Sequence, residues 1–419
     1  MIASLAADLK NLKSSAKFLR SSSTEKRNKT LHLLSEKLLT QKTTILAANA
    51  QDLAGLTDQS VEYSDAFRDR LTLTDARIEC MRVSIEQIAS FGDPLGEVVE
   101  SKTLINGLQT KKVRAPLGVI FMIFESRPNV AIEAFALAVK SGNALLLRGG
   151  KESAKTCAAF YSLITQSLME AGLPGESFFG ITDPDRAIVS DLLQQKKYID
   201  VVIPRGGDQL IEFVVENSRI PIIKNDRGMC HVYVHEDADL TMTRLIVENA
   251  KTQRPGVCNA METLLIHENC AVKVLQLIAN LPVQFFACAK SLKILYANGC
   301  TVATAAQPEN FDTEYLDLKM NVKVVSTFDE AISHIEEHGS KHSEAIITSS
   351  ATVAKRFEAE VDAAVVYWNA STRFTDGFEL GLGGEIGIST QKLHVRGPVG
   401  LRELTSLRWI IEGTGQVRE

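Results

Sequence analysis

Apolar residues recur at helical spacing from residue 3 to about residue 91, and the period then changes. Leu31, Leu34, Leu38, Leu39 and Ile45 share one helix face, with Thr24 as N-cap ahead of Glu25. This predicts an all-helical opening layer. From Val98 the alternation is that of strands: Val98 to Ile105 and Leu108 to Arg114 flank Asn106-Gly107, a pair suited to a two-residue hairpin turn. A two-stranded ribbon this polar is marginal by itself, so it is expected to lie as an arm on a neighbouring subunit or domain.

Beyond it, short apolar runs alternate with helical patterns. Gly118 to Phe124 reads as a buried strand, Asn129 to Ser141 as a helix, and Ala144 to Leu147 as the next strand. Glu152 to Ala171 (helix), Ser177 to Gly180 (strand), Pro184 to Gln195 (helix), Val201 to Ile203 (strand) and Asp208 to Asn217 (helix) continue the series. Such a βαβ succession predicts a parallel, doubly wound sheet, whose ligands sit beyond the carboxyl ends of its strands. From His231 the pattern restarts, with strands at His231 to His235, Thr263 to His267, Asn321 to Val325, Ala345 to Ile347 and Ala364 to Trp368. A second α/β domain follows. Gly377 to Gly387 is glycine-rich and reads as a loop, and the tail from Gly397 to Ile411 reads as a turn, a short helix and a strand able to pair with the arm.

The chain has 419 residues, enough for two or three domains, and a net charge of −5 with its basic residues scattered. Nucleic-acid binding is therefore not expected. Seven cysteines, widely spaced and never C-x-x-C, indicate neither a disulfide framework nor a metal site and fit a reducing compartment. No apolar run approaches the roughly 18 residues of a membrane span. Lys10, Lys13, Lys17 and Arg20 give the N-terminus a faint likeness to a transit peptide, but Ile2, Leu5, Leu9 and Leu12 lie at helical spacing and read as a structural first helix. A cytoplasmic protein is expected.

Three stretches carry candidate chemistry. In Gln253-Arg254-Pro255-Gly256-Val257-Cys258-Asn259-Ala260-Met261, one cysteine sits in a tight polar turn at the entrance of a strand, with small neighbours and Arg254 beside it. Those are the requirements of a covalent nucleophile, and equally the surroundings of a half-buried loop cysteine. Arg148-Gly149-Gly150-Lys151 and Pro204-Arg205-Gly206-Gly207-Asp208 each lie between a strand and a helix. Both offer backbone and cations to a dinucleotide's phosphates, yet neither is G-x-G-x-x-G, so a plain turn stays open for each.

The residues then become recognisable. Arg114 to Ile120, Glu125-Ser126-Arg127-Pro128-Asn129-Val130, Ser141-Gly142-Asn143 with Leu147 to Lys151, Pro204 to Gly207, Cys230 to Val234, Val257 to Leu264 and Gly397 to Leu401 resemble the gamma-glutamyl phosphate reductases. These are the glutamate-5-semialdehyde dehydrogenases, a branch of the aldehyde dehydrogenase superfamily. One departure is Ile222 to Arg227, where that family usually carries Gly-His.

The resemblance implies an aldehyde dehydrogenase-like α/β fold: two doubly wound domains plus a β-hairpin oligomerisation arm. Residues 1–98 and 115–230 would form an NADPH-binding domain, rejoined at about 370–390. Residues 231–369 would form the catalytic domain, and 99–114 with 391–419 the arm and tail. It implies NADPH-dependent reduction of gamma-glutamyl phosphate to glutamate 5-semialdehyde through a Cys258 thioester, a step of proline biosynthesis, in a homo-oligomer supplied by glutamate 5-kinase. The oxyanion donors would be the Cys258 amide and Asn129 or Asn259. Arg127 and Ser126 would bind substrate; Arg148, Gly149, Gly150, Lys151, Arg205, Gly206 and Gly207 would bind the cofactor; no metal is implied. Glu262 and His267 read as structural, since the strand carries them away from the sulfur. The rival readings are a hydrolytic aldehyde dehydrogenase, which needs a base to activate water, and a nucleotide-binding scaffold, which needs no cysteine at all.

Overall fold

The computed structural model describes residues 2–56, 63, 65–125, 127–225 and 227–418. The chain forms two compact units, Met1–Asn225 with Gly381–Gly387 and Val399–Glu419, and Asp226–Leu380 with Ile388–Pro398. The crossing thus falls at 225/226 rather than 230/231, and the tail divides: Ile388–Pro398 goes with the second unit and the rest with the first.

In the first unit, helices Ile2–Ser21, Thr24–Thr40, Lys42–Ala54, Asp65–Leu71 and Asp75–Ser90 make the opening layer. The cap of the second of these is Ser23, whose hydroxyl accepts from the Lys26 amide, and not Thr24. Thr24 instead donates to the Asp93 carboxylate, to which the buried Arg27 is also bound. The arm strands are β1 (Val98–Thr103) and β2 (Gln109–Pro116). Their turn is longer than the two residues expected. The Leu104 amide bonds the Leu108 carbonyl at 2.8 Å, enclosing Ile105-Asn106-Gly107, and Gly107 takes φ +82°, where a Cβ would be strained.

Strands β3 (Val119–Phe124), β4 (Ala144–Arg148), β5 (Phe178–Ile181) and β6 (Val201–Arg205) form a parallel sheet in the order β5-β4-β3-β6. Every side chain of β3 is buried, which is why its sequence is an unbroken apolar run rather than an alternation.

In the second unit, β7 (Cys230–Val234), β8 (Met261–His267), β9 (Gln284–Ala287), β10 (Ala303–Ala305), β11 (Lys319–Val325), β12 (Ser343–Ile347) and β13 (Val365–Trp368) form a parallel sheet in the order β10-β9-β11-β8-β7-β12-β13. Successive residues bury opposite ways. Val232, Val234, Leu264, Ile266, Ala345 and Ile347 enter one core, while Tyr233, Leu265 and Ile346 enter another. Period-two geometry with both faces covered is the doubly wound arrangement. A short ribbon of β14 (Ile388–Ser389) and β15 (Gly397–Pro398) completes the unit.

The last strand, β16 (Thr405–Glu412), belongs to the first unit and pairs antiparallel with β2 from Thr405↔Pro116 to Glu412↔Gln109. It turns the two-stranded arm into a three-stranded sheet, and residues 401–404 before it are turns, not the short helix expected. No helix among the described residues is long and apolar enough to cross a membrane.

Candidate active site

Helix Leu240–Thr252, capped by the Asp239 carboxylate on the Met242 amide, delivers the chain to a turn that opens directly into β8. Pro255-Gly256 cannot continue the helix, and a second turn, closed by the Ala260 amide on the Val257 carbonyl at 3.0 Å, carries Cys258 and Asn259. Cys258 is half-exposed, whereas every residue of β8 behind it is buried. The thiol is therefore the last accessible group at the amino end of a central strand.

The turn is held from beneath. The Cys230 thiol, at the start of neighbouring β7, donates to the Cys258 carbonyl at 3.2 Å. Burial raises the pKa of Cys230 well above that of an ordinary thiol, so it remains a proton donor. Gly228 lies so close to the Cys258 backbone that a Cβ there would overlap it. Behind Cys230 a polar chain runs to His342 Nδ1 (3.6 Å), Ser343 Oγ (2.9 Å), Thr375 Oγ1 (2.7 Å) and the Tyr367 hydroxyl (2.8 Å).

Asn259 is buried, and both ends of its amide are engaged. Nδ2 donates to the carbonyls of Thr375 at 2.7 Å and Arg373 at 3.4 Å, and Oδ1 accepts from the Arg373 guanidinium. This geometry makes Asn259 a brace rather than an oxyanion donor. Sequence reasoning missed Arg373. Its Nε also holds Gln253 at 2.9 Å, so it spans the cysteine turn on both sides. Burial lowers its pKa, with Asp376 opposing and Arg254 adding to the effect, and its charge is coupled to Cys258. Nothing in the local sequence signals it, because Arg373 stands far from Cys258 along the chain.

Glu262 and Lys251 form a wholly buried ion pair at 2.9 Å, and Glu262 also accepts from the Leu316 amide at 3.2 Å. Burial raises Glu262 above the ordinary carboxylate range, against the opposing field of Lys251. His267 sits at the far end of β8, away from the sulfur. Two other thiols are poor nucleophiles: burial pushes Cys157 and Cys270 up to about 11. None of the seven cysteines is in a disulfide.

The remaining candidates lie in the first unit, at the carboxyl edge of the four-stranded sheet. Arg148 ends β4, and its Nη2 donates to the Pro184 carbonyl at 2.8 Å; burial foremost, then Arg186, lowers its pKa. Gly149, Gly150 and the exposed Lys151 follow, bordering a shallow cleft walled by Ala154, Ile181, Thr182 and Pro184. A Cβ on Gly149 would press on Cys157 Sγ at 3.0 Å and the Phe124 ring at 3.2 Å, which keeps this turn flat against the sheet. An apolar wall with a cation at its rim fits the adenosine end of a dinucleotide phosphate.

The Arg205-Gly206-Gly207 turn after β6 fits less well. The Gly207 amide, which would face a pyrophosphate, donates instead to the Glu125 carboxylate at 3.0 Å. Glu125 is anchored there because its own amide bonds the Arg205 carbonyl at 3.1 Å. An internal carboxylate occupies the anion position, so phosphate binding requires Glu125 to leave.

Arg127 is half-buried one turn before helix Asn129–Lys140, and its carbonyl accepts from the Val130 amide at 3.1 Å. Asn129 opens that helix with Nδ2 on Glu133 at 3.1 Å. Ser126 lies outside the described residues, as does Asp226, while Lys224 and Arg227 fall in different units. Among the described residues no group of three or more His, Cys, Asp or Glu is placed to hold a metal.

A model of the aldehyde dehydrogenase family matches residues 13–284. A gamma-glutamyl phosphate reductase of Clostridium kluyveri is 49% identical over 414 residues, 98% of this chain and 97% of that protein. One of Francisella philomiragia subsp. philomiragia is 49% identical over 413 residues, 98% of each. The crystal structure of gamma-glutamyl phosphate reductase from Thermotoga maritima matches with a TM-score of 0.94 at 42% identity, covering 99% of this chain and 100% of that one.

Proposed function

Because the chain belongs to the aldehyde dehydrogenase family, and within it to the gamma-glutamyl phosphate reductases, we propose that its Cys258 carries the NADPH-dependent reduction of gamma-glutamyl phosphate to glutamate 5-semialdehyde and phosphate. The observation that carries this reading is a half-exposed thiol at a strand entrance, with Arg254 and Arg373 beside it and its backbone held by Cys230 and Gly228. The sulfur attacks the acyl carbon, the acyl–phosphate C–O bond breaks, and phosphate leaves with the electron pair. A thioester on Cys258 results. The nicotinamide cofactor, when bound, supplies the hydride. Reduction of the thioester gives a thiohemiacetal, which collapses to the aldehyde and returns the sulfur as thiolate.

The oxyanion of each tetrahedral stage falls to the Cys258 amide, and Asn259 acts as a positioning residue. Arg127 and Ser126 are assigned to the substrate. Arg148, Gly149, Gly150 and Lys151 are assigned to the adenosine phosphate, and Arg205, Gly206 and Gly207 to the pyrophosphate after displacement of Glu125. The test is oxidation of glutamate semialdehyde by NADP with and without phosphate, in which NADP reduction is expected to require phosphate.

Preference for NADPH follows from Arg148 and Lys151 at the end of β4. Lys151→Ala and Arg148→Ala are each expected to raise KM for NADPH by about tenfold, the scale of one charge-assisted hydrogen bond, and KM for NADH far less. Equal effects on both cofactors would remove these residues from the ribose phosphate.

The exposed arm supports a homo-oligomer. Every residue of β1 is exposed, and β16 leaves Leu407, Trp409 and Ile411 largely open to solvent. Apolar strand surface of this kind calls for a covering surface. Deletion of residues 100–112 should lower the mass seen by light scattering; an unchanged assembly would exclude the arm as an interface.

A further inference from the structure

We propose that Arg396, with Lys341 and Lys392, forms an oxyanion site at the amino edge of the seven-stranded sheet, taking the α-carboxylate of the substrate or the phosphate it releases. This deepens the function proposed above and rests on it. Three cations converge on the single carboxylate of Asp362: Lys341 Nζ at 3.2 Å, Lys392 Nζ at 3.0 Å and Arg396 Nη1 at 2.8 Å. Asp362 is held well below the usual carboxylate range, first by Lys392 and Arg396, so it stays charged. The cluster nevertheless carries two positive charges in excess.

Arg396 is only partly satisfied. Its Nε and Nη2 are out of solvent and have no hydrogen-bond acceptor among the described residues, although the residue as a whole keeps a quarter of its side chain exposed. A guanidinium fork with two buried N–H nitrogens unmet is costly unless an acceptor arrives, and the group that suits that fork is a planar carboxylate or a phosphate.

The sheet also puts the cluster beside the cysteine. Strands β8, β7, β12 and β13 are parallel neighbours in that order. Cys258 precedes β8, Cys230 begins β7, Lys341 precedes β12 and Asp362 precedes β13, so all four stand at the same edge. The contacts between them are direct: Cys230 touches the Cys258 carbonyl and His342, the residue next to Lys341, and the Lys341 carbonyl accepts from the Ala364 amide at 2.8 Å. Two to three strand spacings make roughly 10 to 14 Å. The far carboxylate of a glutamyl chain lies about 5 Å from its reacting carbonyl, and adding a C–S bond and a hydrogen bond gives roughly 10 Å. Lys392 and Arg396 stand on the loop between β14 and β15, which brings their charge in from a separate segment of chain.

The test compares Arg396→Ala, Arg396→Lys and Asp362→Asn in the semialdehyde-oxidising direction, with thermal melts of each protein in glutarate and in inorganic phosphate as a readout free of turnover. Arg396→Ala is expected to raise one KM by about tenfold or more and to abolish the matching anion's stabilisation. A rise for the semialdehyde, with loss of the glutarate effect, identifies the carboxylate; a rise for phosphate, with loss of that effect, identifies the phosphate. Arg396→Lys should recover part of the loss. Asp362→Asn removes the internal competitor and should lower the same KM, opposite in sign to Arg396→Ala. If the two substitutions weaken binding in parallel, or Arg396→Ala leaves both anion effects intact, the cluster is an ion-pair staple and the site is overturned. Anion stabilisation lost in Arg396→Ala from an enzyme that lacks phosphate-dependent turnover would keep the site and defeat the function on which it rests.

Discussion

Cys258→Ala is expected to reduce turnover to below about 1% of the parent, since loss of a covalent nucleophile costs several orders of magnitude, while folding and cofactor binding persist. The turn does not depend on the sulfur: its ties are the Cys230 thiol on the Cys258 carbonyl, the Ala260 amide on the Val257 carbonyl, and Asn259 with Arg373. Alanine keeps every one of them. Cofactor titration by fluorescence and a thermal melt verify the fold, and the steady-state rate gives the result. Retention of more than about 1% of the rate would exclude covalent catalysis at this position. Replacement of the other cysteines, apart from Cys230 whose thiol holds the turn, should affect stability more than chemistry. Cys157, Cys230, Cys270 and Cys300 are buried, so their loss leaves small cavities rather than an absent nucleophile.

The second large effect is a requirement for phosphate when the reaction runs from glutamate semialdehyde and NADP. Hydride transfer leaves a thioester on Cys258, and something must expel the sulfur. A hydrolytic enzyme uses water activated by a carboxylate base. Three carboxylates around this turn are already committed. Glu262 is buried against Lys251 and the Leu316 amide, Glu314 accepts from the Gly228 amide at 2.8 Å, and Glu344 is buried against His231 at 3.0 Å. Phosphate brings its own nucleophilic oxygen and needs no such base. NADP reduction is therefore expected to be nearly absent in phosphate-free buffer and restored by phosphate or arsenate. Substantial NADPH formation without either, with glutamate as product, would establish the hydrolytic alternative instead.

Much of the architecture is legible before any coordinates. The parallel sheets announce themselves because strands covered on both faces must be apolar throughout, as Val119–Phe124 is. The cysteine turn is legible for a related reason. Proline and glycine force the chain to bend, and the small residues around Cys258 leave the thiol within reach. Local errors came where side chains found distant partners. Thr24 looked like the helix cap, yet Asp93 draws its hydroxyl away and leaves the cap to Ser23.

What the sequence by itself determined is the succession of elements, the candidate nucleophile and, through its motifs, the family. Each is written in neighbouring residues. The tertiary structure alone decided which distant residues meet: Arg373 on Asn259, Glu125 on the Gly207 amide, and Lys341, Lys392 and Arg396 on Asp362. Spacing along the chain carries no record of those contacts. They arise because parallel strands bring their ends to a common edge, where buried charges must find partners or be left unsatisfied.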